Sequence, residues 1–186
     1  MEAHQVEKVL HHCDRRRKMG KRDHAILLLL ARLGLRASEV MKLQLEDIDW
    51  GTGQLLIHGK GSRVDRLPLV RDVGQALADY LQKERPVCSS RQVFIQSHAP
   101  YGPISCAHSI GDVVERALAR AQLKPCHREA HLLRHSLATR MIRTGASLAQ
   151  IGQVLRHQHS RSTELYAKVD LAALRALAQP WPRGAQ

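Results

Sequence analysis

Apolar positions recur along the chain with two periods, and the change of period divides it into elements. Val6, Val9, Leu10 and Cys13 follow helical spacing, so residues 4–18 read as an amphipathic helix that ends in the charged run Arg15-Arg16-Arg17-Lys18 and is broken by Gly20. Residues 21–33 are more uniformly apolar and predict a helix central to the core, closed by Gly34 in a left-handed cap. A short helix over 37–42 follows. Residues 45–50 alternate as a strand does, and Gly51-Thr52-Gly53 turns. Gln54–His58 and residues 63–69 flank Gly59-Lys60-Gly61-Ser62, which predicts a β-hairpin with glycines where positive φ is needed. Residues 72–84 place Val73, Leu77, Tyr80 and Leu81 on one helical face. Residues 93–95 make a short strand at most, residues 105–121 a helix, and 171–177 one more short helix. The expected class is mainly α with a small three-stranded antiparallel β-sheet inserted early, an α+β fold. There are no repeats and no low-complexity segment.

The most informative stretch runs from His131 to Tyr166. At about 100° per residue, His131, Arg134 and His135 fall within one arc of a helix, and Leu133 and Leu137 fall on the opposite arc. An arginine and two imidazoles are thereby expected on a helix whose other side is core. His157 and Tyr166 follow on separate short helices with their own apolar anchors, Ile151, Val154 and Leu155 for the first and Leu165 and Val169 for the second. Arginine is a fixed bidentate clamp for phosphate. Histidine moves protons near neutral pH. A tyrosine oxygen can act as a covalent nucleophile. The combination fits chemistry on a phosphodiester whose bond energy is kept in a phosphotyrosine.

Composition narrows the partner. The 186 residues suffice for one domain with a proper core. The net charge of +12 points to a polyanion. Between His127 and Lys168, seven arginines and lysines face two acids. Aromatics make up only 3%, which favours contacts to duplex phosphates over a stacking platform for single strands. The four cysteines are scattered and read as reduced thiols of a cytoplasmic protein. Neither His11-His12 nor His157-Gln158-His159 has supporting ligands at metal spacing, so no metal or other cofactor is expected. No apolar run is long enough to span a bilayer.

Several motifs carry a family resemblance. His131-Leu132-Leu133-Arg134-His135 resembles the His-x-x-Arg-His signature of the tyrosine recombinases, the phage integrase family. His157, eight intervening residues and Tyr166 are similar to that family's spacing from histidine to nucleophile. Gly34-Leu35-Arg36-Ala37-Ser38-Glu39-Val40 resembles its first arginine box, and Gly59-Lys60-Gly61 its hairpin lysine turn. The match runs from about Gln5 to Val169. It departs at Arg156, where the family usually has glycine, and this bears on the local backbone more than on the chemistry.

The resemblance implies roles. Arg36 and Arg134 would hold the non-bridging oxygens of one phosphate. Lys60 would protonate the leaving 5′ oxygen. His131 would accept the proton of the Tyr166 nucleophile, and His157 would donate to a phosphate oxygen. Glu39 would orient Arg36 or a neighbouring histidine, and His135 would be a supporting partner. The implied fold is the catalytic domain of a tyrosine recombinase, a DNA breaking-and-rejoining fold, over residues 1–178 with 179–186 as a tail. The separate N-terminal DNA-clamping domain of the family is expected to be absent. The implied activity is metal-independent site-specific recombination or integration through a 3′-phosphotyrosine. The implied partners are double-stranded DNA sites and other copies of the chain, a dimer or tetramer on DNA, with no membrane. A type IB topoisomerase and a decayed DNA-binding accessory protein are the alternatives. The short chain and recombinase-like boxes argue against the first, and the filled catalytic positions against the second.

Overall fold

The computed structural model describes residues 1–59, 63–124 and 130–156. The chain forms two compact units, 1–137 and 138–186, and the boundary falls within one helix. The predicted class is what is observed. Helices α1 (Ala3–His11), α2 (Gly20–Arg32) and α3 (Ala37–Lys42) precede a 3-10 turn at Leu45–Asp47 and strands β1 (Ile48–Asp49), β2 (Gln54–His58) and β3 (Val64–Pro68). Helices α4 (Arg71–Lys83), α5 (His108–Arg120), α6 (His131–Arg143) and α7 (Leu148–Val154) follow. The sheet is antiparallel in the order β1-β2-β3, with Leu55 opposite Ile48 on one side and Leu67 on the other.

Helix α2 is the centre of the first unit. Every residue from Ala25 to Ala31 is buried, against α4 on one side and α1, α3 and α5 on others. A helix that is apolar nearly all round can only be stable when enclosed in this way. Arg32 at its end donates to both carboxylate oxygens of Glu7, at 2.6 and 2.9 Å, and to Asp72 at 2.9 Å, tying α1 and α4 to α2.

Three expected elements change. The first helix stops at His11 rather than reaching Lys18. The Asp14 carboxylate accepts from the Arg16 backbone at 3.1 Å, a local bond that competes with helix. Gly20 does not break that helix but opens the next: a Cβ there would lie 2.2 Å from the Asp14 carbonyl oxygen, so only glycine admits this close approach. Residues 45–50 are not one strand. Asp47 is three residues after Gln44, and its carboxylate accepts the Gln44 N–H at 2.8 Å, which winds 45–47 into a 3-10 turn. Only Ile48 and Asp49 pair with β2.

Residues 93–95 are fully buried but form only isolated bridges on either side. Side chains satisfy much of this backbone. The Tyr80 hydroxyl accepts the Ile95 N–H at 3.2 Å, Arg22 donates to the Ile95 carbonyl at 3.0 Å, and Arg85 donates to the Val93 carbonyl at 3.2 Å. Burial without such partners would be costly. Tyr80 also stacks on Phe94 at 5.6 Å, and burial pushes its phenol up to about 12. Tyr80→Phe keeps the stack and removes the acceptor. The orphaned Ile95 N–H should destabilise the fold by about 1–3 kcal/mol. Urea unfolding checks this, as a lower midpoint at unchanged slope.

Candidate active site

The site begins where α2 ends. Gly34 takes φ +59, the left-handed geometry expected of it. That turn lets the Leu35 N–H reach back to the Leu29 carbonyl at 3.3 Å and buries Leu35. The next residue, Arg36, is the N-cap of α3. Glu39, in the first turn of α3, returns to it twice: Oε2 accepts the Arg36 backbone N–H at 2.8 Å, and Oε1 accepts its guanidinium at 2.7 Å. One buried carboxylate thus fixes both the start of the helix and the direction of the arginine. The Arg36 side chain keeps 35% of its surface exposed, while that of Glu39 keeps 6%.

Arg134 reaches the same turn from α6. Its guanidinium donates to the Gly34 carbonyl. This changes the expected picture of α6. His131 and His135 face solvent, with ring centroids 6.3 Å apart, and Leu133 and Leu137 are buried as the arcs require. Arg134 is buried as well, at 3% exposure, not on the open face with the histidines. On the wheel it lies about 60° from both His131 and Leu137, a boundary position. The carbonyl waiting in the adjacent turn decides which side it takes. A buried guanidinium needs acceptors, and its aliphatic stem can pack among apolar neighbours.

A further pair lay beyond what the pattern indicated. Asp47, 5% exposed, accepts from Nε2 of His58 at 2.7 Å while also capping Gln44. The pair ties the end of β2 to the 3-10 turn, and Gly59 N–H closes the hairpin on the Arg63 carbonyl at 2.7 Å. The one sequence signal was the capping distance from Gln44 to Asp47; the His58 contact needs the fold. Lys60, His157 and Tyr166 lie outside the described residues.

In the second unit, α7 is capped by Ser147, whose hydroxyl accepts the Gln150 N–H at 3.3 Å. Ile151 and Leu155 are buried as anchors, whereas Val154 is 40% exposed. Arg156 adopts φ +54. The backbone takes the left-handed form at the position where the resembled family has glycine, and an arginine there costs roughly 1–2 kcal/mol. Among the described residues, no group of three or more His, Cys, Asp or Glu could hold a metal ion, and no helix is long and apolar enough to cross a membrane.

With this geometry in hand, comparison with known proteins places the chain. The Phage integrase family matches residues 1–172. The chain is 48% identical over 181 residues to y4rA of Sinorhizobium fredii, named as an integrase/recombinase, covering 97% of this chain and 44% of that protein. It is 39% identical to y4gC of the same organism, likewise named, over 88% of this chain and 84% of that protein. It is 32% identical to the tyrosine recombinase XerC of Lacticaseibacillus casei over 84% of this chain and 53% of that protein. The chain thus spans about half the length of y4rA and XerC. In fold it is similar to the XerH site-specific recombinase bound to palindromic difH substrate, with TM-score 0.78 and 23% identity over 98% of this chain and 53% of that one. The XerA recombinase gives TM-score 0.77 and 20% identity over 95% of this chain and 62% of that one. The left-handed turn, the two arginines bound to it and the family match over 172 residues lead to one statement: the chain belongs to the phage integrase family, the tyrosine recombinases.

Proposed function

We propose that the protein is a site-specific recombinase or integrase that cuts and rejoins duplex DNA through a 3′-phosphotyrosine. The observation that carries this reading is the single turn, Gly34 to Arg36, to which both arginines are tied, Arg36 by Glu39 and Arg134 by the Gly34 carbonyl. Two guanidiniums held from one turn can bracket one phosphate and neutralise the charge that grows in a five-coordinate transition state. The names of the family relatives point the same way. XerH, solved on its DNA in a post-cleavage complex, has the same fold.

In this reading the Tyr166 oxygen attacks the scissile phosphorus and gives up its proton to His131. The bond to the 5′ oxygen breaks, and Lys60 supplies the proton that leaves with it as a 5′-hydroxyl. His157 donates a hydrogen bond to a phosphate oxygen. A phenol ionises near pH ~10 when free, so the cationic surroundings assist it. The 5′-hydroxyl of another strand then attacks the phosphotyrosine, which restores a phosphodiester and frees Tyr166. The ester conserves the energy of the original bond, so the reaction calls for no nucleotide cofactor. Glu39 and His135 act through their neighbours. The partners are specific duplex sites and further copies of the chain, and the place of action is wherever that DNA lies, the prokaryotic cytoplasm.

A nicked suicide duplex carrying the right site should trap an adduct that survives denaturant, forms with a chelator present, and maps by mass spectrometry to the peptide containing Tyr166 at a 3′ end. Tyr166→Phe should abolish it and leave binding nearly intact. Arg36→Ala or Arg134→Ala should slow cleavage roughly a hundred- to a thousandfold. An adduct that persists in Tyr166→Phe, or maps elsewhere, refutes the assignment.

Lys60→Ala should cut ordinary DNA poorly and recover on a substrate whose scissile 5′ oxygen is sulfur, since that leaving group needs no proton; no recovery means that Lys60 is not the acid. Glu39→Gln keeps the shape but removes the charge. It should slow single-turnover cleavage by about ten- to a hundredfold, in line with one charge-assisted hydrogen bond, with DNA affinity little changed. A rate equal to that of the parent would mean that Glu39 does not orient Arg36.

A further inference from the structure

Arg17 and Lys18, the end of the run Arg15-Arg16-Arg17-Lys18, have no part in the reaction above, yet the fold gathers them with other cations. A cleft of about 480 Å³ opens at the start of α2, lined by Arg17, Lys18, Arg22, Arg116 and Arg120 together with Asp14 and Asp23. Five cations face two carboxylates there, and those carboxylates are engaged. Asp23 Oδ1 takes two bonds from Arg22, at 3.0 and 2.8 Å, and its Oδ2 takes one from Arg116 at 3.3 Å. Asp14 takes Arg17 at 3.2 Å and the Arg16 backbone at 3.1 Å. Lys18 and Arg120 make no ion pair among the described residues, and Arg120 Nε is buried with no acceptor.

A buried N–H without an acceptor costs free energy, and uncompensated charge in a concave site raises it further. An anion with several oxygens would offset the excess charge of the cleft that Lys18 and Arg120 line. The cleft is not the catalytic pocket: α2 separates Gly20 from Gly34 by roughly 20 Å at 1.5 Å per residue. Duplex DNA has one helical turn in roughly 34–36 Å, so a strand anchored at one phosphate offers others at that reach.

We propose that this cleft is a second phosphate site, which holds a backbone phosphodiester of the duplex away from the scissile position. The proposal rests on the reading of the protein as a DNA enzyme and adds to it a named anchor. Such an anchor sets register and affinity, not chemistry. Lys18 and Arg120 supply the available donors, while Arg22 and Arg116 are held in place by Asp23.

The test uses the full chain and a duplex carrying its site. Lys18→Gln combined with Arg120→Gln should weaken duplex binding roughly tenfold or more at low salt and lower the slope of log affinity against log salt by about 1. Thermal melting should stay close to that of the parent, and single-turnover cleavage at saturating DNA should be unchanged. A scan of single methylphosphonate linkages locates the contact. In the parent, one neutral linkage about half a turn to one turn from the scissile phosphate should weaken binding. In the double variant that linkage should have no further effect. An unchanged slope, or the same scan in both proteins, overturns the proposal, whether or not inorganic phosphate binds the cleft. The two readings fail separately. A normal Tyr166 adduct with an unchanged slope sinks the cleft alone. A lost slope without any adduct sinks the chemistry and leaves the cleft standing.

Discussion

The hydrogen bond from Arg134 to the Gly34 carbonyl is the contact on which the site depends. It is possible because Gly34 accepts φ +59, which ends α2 and turns a carbonyl toward α6. A residue with a Cβ would be strained in that geometry, and without that carbonyl the buried Arg134 would lose an acceptor. Backbone conformation, burial and charge placement thus meet at one peptide. Arg36 follows two residues later, and Glu39 holds it in place at 2.7 Å. Both arginines inherit their positions from the end of one helix.

That helix can serve as a reference because it is enclosed. Burial of every residue from Ala25 to Ala31 gives α2 little freedom to shift relative to α4, α1 and α5. The two ends of α2 carry different surroundings. The C-terminal end carries the arginine turn. The N-terminal end opens at Gly20, pressed against the Asp14 carbonyl, beside the cationic cleft. One rigid rod of roughly 20 Å therefore sets the spacing between the arginine turn and the cationic cleft.

Buried polar side chains stand in for regular structure where the chain lacks it. Residues 93–95 sit in the core without a full ladder, held by Tyr80, Arg22 and Arg85. Asp47 plays a similar part between the 3-10 turn and β2, with its two oxygens given to Gln44 and His58. Each such residue couples a segment to a distant element, so the framework behind the site is bound by side chains as much as by backbone pairing.

Local pattern determined much of this protein. The apolar run of α2, the glycine at its end, the helix at 37–42, the hairpin strands and the buried face of α4 follow from period and turn chemistry, which act within a few residues. The boxes around Arg36 and Arg134 pointed to the family on their own. Short-range polar contacts, which the apolar period does not record, decided some of the rest, and tertiary structure decided what turned on partners distant in the chain. The Asp14 carboxylate takes the Arg16 N–H, which competes with helix, and the first helix ends at His11. The Asp47 cap overrode the alternation that suggested a strand over 45–50. Arg134 sat at a boundary of its helical wheel, equally near the exposed histidines and the buried leucines. A carbonyl one hundred residues away settled its place, since a guanidinium goes where its hydrogen bonds can be met.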